Sequence, residues 1–312
     1  MTSSAASMAR PASGDQWVIA SGDQRAVVVE VGGGLRAYSA GDWQILDGYA
    51  EDEVAPGAAG QILAPWPNRI RDGRYTFAGQ EYALALSEPE FLNAVHGLVR
   101  WLPWQAVQAS SDKVQVACLL PAQIGYPWSL RLTTTWSVGP DGLRAQHTAT
   151  NLSAQRCPFG LGIHPYLRLP QSNVDETVIT MSAGTRLVVD ERLLPARQTA
   201  VAGTDYDFHQ PKAIGTAQFD TTFTDIDSSD NAVEMATRTG DHLLRVWADH
   251  AFRWWQLFTG DTLPPARHRR SVAIEPMTCP PDAYRSGTDL IILEPDQTWQ
   301  GSWGLTLYPP RP

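Results

Sequence analysis

The sequence predicts an all-β protein, a large antiparallel β-sandwich. Three observations carry this reading. Apolar and polar residues alternate at period two through much of the chain. No window shows an i, i+3, i+4, i+7 apolar stripe. Twenty-five glycines and 23 prolines punctuate the whole length of 312 residues, the spacing of many short strands and turns.

The elements follow in chain order. Residues 25–31, Arg-Ala-Val-Val-Val-Glu-Val, are rich in β-branched side chains and stop at Gly32-Gly33-Gly34. In 74–84, Tyr75, Phe77, Tyr82 and Leu84 flank Ala78-Gly79-Gln80, which predicts a hairpin. From Trp128, the residues Leu130, Leu132, Thr134, Trp136 and Val138 alternate with Ser, Arg and Thr. Gly139-Pro140-Asp141-Gly142 then turns the chain, and Leu143, Ala145, His147 and Ala149 resume the alternation. Further strands are expected at 242–248, 252–258, 271–276, 289–293 and 302–308. No repeat of fixed period and no dividing linker interrupts the pattern. Residues 17–312 therefore read as one sandwich domain. Residues 1–16 are small and polar, lack the apolar run of a secretion signal, and are expected to form a flexible tail.

Composition narrows the function classes. Hydrophobic residues make up 43% and charged residues 18%, ample for a globular core. The formal charge of −9 repels phosphate backbones and anionic membrane surfaces, which argues against nucleic acid and membrane as partners. The run Arg267-His268-Arg269-Arg270 is the one candidate phosphate patch, and it reads more simply as a solvated loop after Pro264-Pro265. Cys118, Cys157 and Cys279 are far apart and odd in number, without zinc spacing, as in a reduced, cytoplasmic protein. Twelve tryptophans suit both a core and the stacking of sugar rings, whose C–H faces are apolar.

Four segments depart from plain strands. Pro65-Trp66-Pro67-Asn68-Arg69-Ile70-Arg71 locks the backbone before Asn68 and Arg69. Asn93-Ala94-Val95-His96-Gly97 is the second. In Gly162-Ile163-His164-Pro165-Tyr166 and Ile274-Glu275-Pro276-Met277 a titratable side chain directly precedes proline. Such a residue is biased to extended backbone, and the proline gives no N–H to the ladder, which suits strand ends opening on a cleft. A histidine in a β protein is more often structural than catalytic, and Arg69 could brace a loop through carbonyls. Glu275 is harder to set aside. Among Val272, Ala273, Ile274 and Met277 it must either pair with a cation or face a polar cavity.

Taken together, these segments resemble the aldose 1-epimerase (galactose mutarotase) family. Its Asn-Arg-Ile element and following hairpin are matched by Asn68-Arg69-Ile70 and Gly73-Arg74-Tyr75-Thr76-Phe77. Its Asn-x-x-His-Gly element is matched by Asn93 to Gly97, and its His-Pro-Tyr by 164–166. Asp-x-x-Phe corresponds to Asp220 to Phe223, and the late Glu-Pro to Glu275-Pro276. The order agrees over roughly residues 25–308, and Glu-Pro-Met-Thr-Cys-Pro-Pro is similar to a bacterial subgroup. The resemblance implies a galactose mutarotase-like supersandwich, no cofactor, no metal, and a free monosaccharide as substrate. It implies His164 as general acid and Glu275 as general base. Arg69, His96 and Asp220 would hold sugar hydroxyls, with Asn68 nearby. Asp225 and Asp227 lie close enough in sequence to compete with Asp220 for that role.

The chemistry needs no more. Interconverting anomers opens and recloses the bond between C1 and the ring oxygen. A base removes the O1 proton and an acid protonates the ring oxygen, each contributing roughly 10²–10⁴-fold. Three alternatives stay open. A non-catalytic carbohydrate-binding protein would not need the His164 and Glu275 pair. A sandwich glycosidase would need two carboxylates flanking the bond. A hexose-phosphate mutarotase of the same fold would need extra cations at the pocket, for which Arg69, Arg71 and Arg74 are candidates. With a Glu near 4.3 and a His near 6.5, the Glu raised by partial burial and the His by its carboxylate neighbour, the sequence predicts a bell-shaped rate profile. The profile falls with acid as Glu275 protonates and with alkali as His164 deprotonates, and because the two are coupled each limb need not belong to one residue alone.

Overall fold

The computed structural model describes residues 10–170, 172–227 and 229–308. Strands occupy 49% of the described residues and helices 5%, so the fold is all-β as the periodicity predicts. A meander of Gln16–Ser21, Gln24–Val29, Leu35–Ala40 and Trp43–Gln44 opens the chain. A nine-stranded sheet runs from Gln105–Ala109 at one edge to Lys212–Ala213 at the other. At its centre Thr298–Tyr308 lies between Gly142–Asn151 and Leu243–Ala248. An eight-stranded sheet carries, in order, Pro195–Ala200, Ala183–Val189, Asp220–Ile226, Trp254–Phe258 and Val272–Met277. Gly162–Ile163 and Tyr166–Leu167 both pair with the last of these. The two large sheets share one hydrophobic cluster, with Trp136, Val246 and Trp303 from the first and Phe223, Trp255 and Ile274 from the second.

Both hairpins expected from the sequence are present. Arg74–Phe77 pairs with Gln80–Ala83 through Ala78 and Gly79, both at positive φ (50° and 79°), the two-residue turn whose twist matches the strands. Leu130–Gly139 pairs with Gly142–Asn151 along its whole length. Of the expected flexible tail 1–16, residues 1–9 lie outside the described residues. From Arg10 the chain is engaged: Ser13 Oγ donates to the Glu51 carbonyl at 2.7 Å, and Gln16 begins the first strand. Among the described residues, no helix is long and apolar enough to cross a membrane. The 267–270 run is neither a phosphate patch nor merely solvated. Arg267 and Arg270 converge on the buried Asp47 (3.7 and 2.9 Å), and Arg269 bonds Asp175 and Asp261 (2.8 and 2.6 Å). A buried carboxylate needs such partners, and they occupy the guanidinium groups.

His147 shows the ordinary use of a core histidine. It is fully buried, and its Nε2 accepts from Trp303 Nε1 at 3.0 Å. Because an indole can only donate, the ring proton is on Nδ1 and goes to Thr134 Oγ1 at 2.8 Å. Burial holds this imidazole down to about 3. An unfolded His takes a proton near 6.5, so as pH falls below that value the unfolded state gains protons the folded state refuses. Stability is therefore lost with acid, by about 2 kcal/mol between pH 6.5 and pH 5.0. His147→Gln removes this cost along with the hydrogen bonds. Its stability deficit in urea unfolding should shrink by about 2 kcal/mol from pH 7.5 to pH 5.0; a deficit independent of pH would contradict the assignment.

Candidate active site

The two histidine- and glutamate-bearing segments meet on one ladder. The register that pairs Gly162 with Met277 and Tyr166 with Ala273 puts His164 across from Glu275. Pro165 and Pro276 supply no N–H there, so the ladder opens between its two paired ends. The same row continues through the sheet, since Glu275 pairs with Gln256 and Gln256 with Thr222. Side chains on one row of a sheet share a face, so His164, Glu275, Gln256 and Thr222 form one polar line. Two residues along each strand lies the parallel row of Tyr166, Ala273, Phe258 and Asp220. From these rows His164, Glu275, Gln256, Tyr166, Phe258 and Asp220 form the floor of a cleft of about 570 Å³.

The wall is made by the other two motifs. Arg69–Arg71 pairs with Asn93–Val95, and His96 N donates to the Asn68 carbonyl at 2.9 Å. Asn68 and His96 both adopt left-handed backbone (φ 54° and 63°), a conformation costing non-glycine residues of order 1 kcal/mol or more. Gly97 then presses on Ala64, whose carbonyl oxygen would lie 2.1 Å from an added Cβ. Only glycine permits that approach, and it lets the His96 ring turn into the cleft.

All six residues expected from the sequence line this one cleft: Asn68, Arg69, His96, His164, Asp220 and Glu275. Asp225 and Asp227 do not line it, although the sequence left them as rivals to Asp220. Arg71 is elsewhere, bound to Asp190, and Arg74 lies in the hairpin. Sequence reasoning missed Glu88, Arg100, Trp101 and Gln256. Gln256 had a signal, being the one polar residue in Trp254-Trp255-Gln256-Leu257-Phe258. In the sequence Tyr166 stands out only as part of the His-Pro-Tyr motif. It stacks on His164 with ring centroids 4.8 Å apart and donates through its hydroxyl to the Gly57 carbonyl at 3.1 Å.

His164 Nε2 stands 3.3 Å from Glu275 Oε1. They are 5% and 2% exposed, so the pair is almost dry. His164 Nδ1, Glu275 Oε2 and His96 Nδ1 are buried with no protein partner, so they are polar groups a ligand could satisfy. Burial, reinforced by Asp220, pushes the Glu275 carboxyl well above the usual range against the pull of Arg69. Burial also holds His164 down to about 3, helped by Arg100 and Arg69. The sequence predicts the opposite direction for His164. The correction is physical: desolvation and two guanidinium groups outweigh a carboxyl that is itself held neutral. His96 is likewise kept neutral, by burial first and then by His164, Arg100 and Arg69.

Asp220 sits 3.8 Å from Arg69 Nη1 and accepts from Gln256 Nε2, whose own carbonyl oxygen accepts from Thr222 Oγ1. Its carboxyl is raised, desolvation outweighing the Arg69 charge and the Gln256 bond. The cleft can thus offer one acid–base pair at its floor and several hydroxyl partners around it.

The aldose 1-epimerase family profile matches residues 15–306. The chain is 33% identical over 283 residues to the uncharacterized protein YihR of Escherichia coli K12, covering 90% of each chain. It is 30% identical over 181 residues to human galactose mutarotase, covering 54% of this chain and 50% of that one. Among solved structures, a putative aldose 1-epimerase from Escherichia coli K12 superimposes with a TM-score of 0.83 at 20% identity, over 94% of this chain and 99% of that one. A GalM/aldose epimerase homologue from C. elegans reaches 0.86 at 17% identity, over 95% and 99%. At these identities the two structures bear on the fold alone.

Proposed function

The chain belongs to the aldose 1-epimerase family, and from that premise we propose that it interconverts the α and β anomers of a free aldose. The observation that carries this reading is the His164–Glu275 pair, opposed at 3.3 Å on the cleft floor and flanked by hydroxyl partners. Glu275 as carboxylate takes the O1 proton. His164 as imidazolium gives a proton to the ring oxygen as the C1–O bond opens. The open aldehyde turns about C1–C2, and the ring closes on the other face by the reverse transfers, so each group regains its starting state. Arg69 and His96 donate to sugar hydroxyls and Asp220 accepts from them. Asn68 uses its oxygen on the Arg69 amide (2.9 Å), leaving its NH₂ for the sugar. Three buried, unpaired cysteines suit a cytoplasmic enzyme.

Proton NMR of anomer exchange across a panel of free aldoses tests this. At least one sugar should exchange well above the buffer rate. A panel that binds without accelerated exchange would make the protein a carbohydrate-binding module instead. A phosphorylated hexose is the second reading, and Arg100 favours it. This guanidinium lines the cleft over the Trp101 ring (4.7 Å), with no carboxylate partner within 4.0 Å among the described residues, and burial lowers it. Including hexose phosphates in the panel separates the two. Preference for the phosphate should vanish in Arg100→Gln if that cation binds it.

A further inference from the structure

The cleft contains a carboxylate that the proposed reaction does not use. Glu88 accepts from Arg69 Nε on both oxygens, at 2.9 and 3.1 Å, and from Arg69 Nη2 at 2.9 Å. Its Oε2 also accepts from Asn93 Nδ2 at 3.0 Å. Arg69 Nη1 takes no part in this fork, and it is the nitrogen 3.8 Å from Asp220. The segment carrying Glu88 is itself held. Glu88 and Asn93 exchange backbone hydrogen bonds (3.0 and 3.1 Å), Ser87 Oγ accepts from Val95 N at 2.8 Å, and Asn93 Nδ2 reaches the Arg192 carbonyl at 3.1 Å.

We propose that Glu88 is a positioning residue of this site, fixing Arg69 so that its Nη1 edge meets the sugar and neutralising that cation where it stands. This rests on the mutarotase reading. The geometric part follows from the clamp. A free arginine side chain loses rotamer freedom when it is ordered, and the fork on Glu88 orders it before the sugar arrives. The electrostatic part follows from the neighbours. Arg69 faces Asp220, and its charge opposes the rise of both Asp220 and Glu275. Left unbalanced, it would make Glu275 a weaker base. Asn93, from the Asn-x-x-His-Gly element, is fully buried and bonds Glu88, so it supports the clamp and does not touch sugar.

The test compares Glu88→Gln and Glu88→Asp with the wild type. Sugar Kd is read from tryptophan fluorescence, Trp101 standing 48% exposed at the cleft, and kcat, KM and the pH profile come from anomer exchange. Glu88→Gln should raise Kd and KM roughly tenfold, the effect of one charge-assisted hydrogen bond, and move the alkaline limb to lower pH. Glu88→Asp keeps the charge but not the reach, so binding should weaken while the alkaline limb stays. In a cycle with Arg69→Lys the two losses should be less than additive, because each removes the same clamp. Unchanged KM and limb in Glu88→Gln overturn the proposal, even if thermal stability falls, and so does full additivity. A wild type that binds sugar without exchange sinks the mutarotase reading alone, since Kd still reports on Glu88. A wild type that neither binds nor exchanges any sugar overturns both.

Discussion

Glu275→Gln is expected to lower kcat for anomer exchange by roughly 10²–10⁴-fold, and His164→Asn by a similar factor. Glutamine keeps the size and hydrogen-bonding outline of the carboxyl but cannot take the O1 proton. Asparagine cannot supply a proton to the ring oxygen. The double variant should be little worse than either single one, because a base without its acid partner does only part of the work and the two act as a unit. The losses should fall on kcat more than on KM, since binding is left to Arg69, His96 and Asp220. Folding gives an independent check. Ionised Glu275 is disfavoured by its burial, so an uncharged amide there should leave thermal stability at neutral pH equal to the wild type or higher. Either variant turning over sugar at near wild-type rates would remove that residue from its role. A loss of rate accompanied by unfolding would leave the role to be tested with Glu275→Asp, which keeps the charge and should retain more activity than glutamine.

How much of this was legible in the sequence depended on what each residue's neighbours in the chain could reveal. Leu130 to Val138 announced a half-buried strand because burial of one face imposes period two locally. That Thr298–Tyr308 lies beside Gly142–Asn151 is a long-range pairing with no local trace. His164 and Glu275 stood out because a proline follows each, and those prolines turn out to open the ladder between them. Glu88 carries the same mark, standing directly before Pro89 in Ser-Glu-Pro-Glu, but its bond to Arg69 joins residues 19 positions apart and leaves no trace in the local pattern. Arg100 and Trp101 follow the apolar Leu98-Val99 with nothing to set them apart. The direction of the His164 shift is hidden from the sequence for the same reason. One partner, Glu275, is nameable from sequence, but the desolvation and the two guanidinium groups that outweigh it are properties of the packed cleft.

The pH profile is where that correction has its consequence. In the free protein both members of the pair are pushed toward their neutral forms, Glu275 upward and His164 down to about 3. Between those limits the pair holds one proton, resting on the carboxyl. Moving it across 3.3 Å from Oε1 to Nε2 produces the carboxylate and imidazolium that the reaction needs, with no change in total charge. The competent state is thus the singly protonated pair, whichever atom carries the proton, and its two titrations belong to the pair. The acid limb of kcat/KM is the uptake of a second proton by the imidazole and should fall well below the 6.5 of a free histidine. The alkaline limb is the loss of the single proton and should follow the raised Glu275. The plateau is therefore broader than the sequence predicts, and the limbs exchange owners. His164→Asn makes the point testable. With only the carboxyl left, residual activity depends on ionised Glu275 and should climb with pH through the region where the wild type begins to decline. An alkaline decline surviving in His164→Asn would mean that another group, His96 first among them, supplies the proton. A wild-type plateau confined between about 4.3 and 6.5 would mean that water enters the cleft and restores ordinary ionisation to both groups.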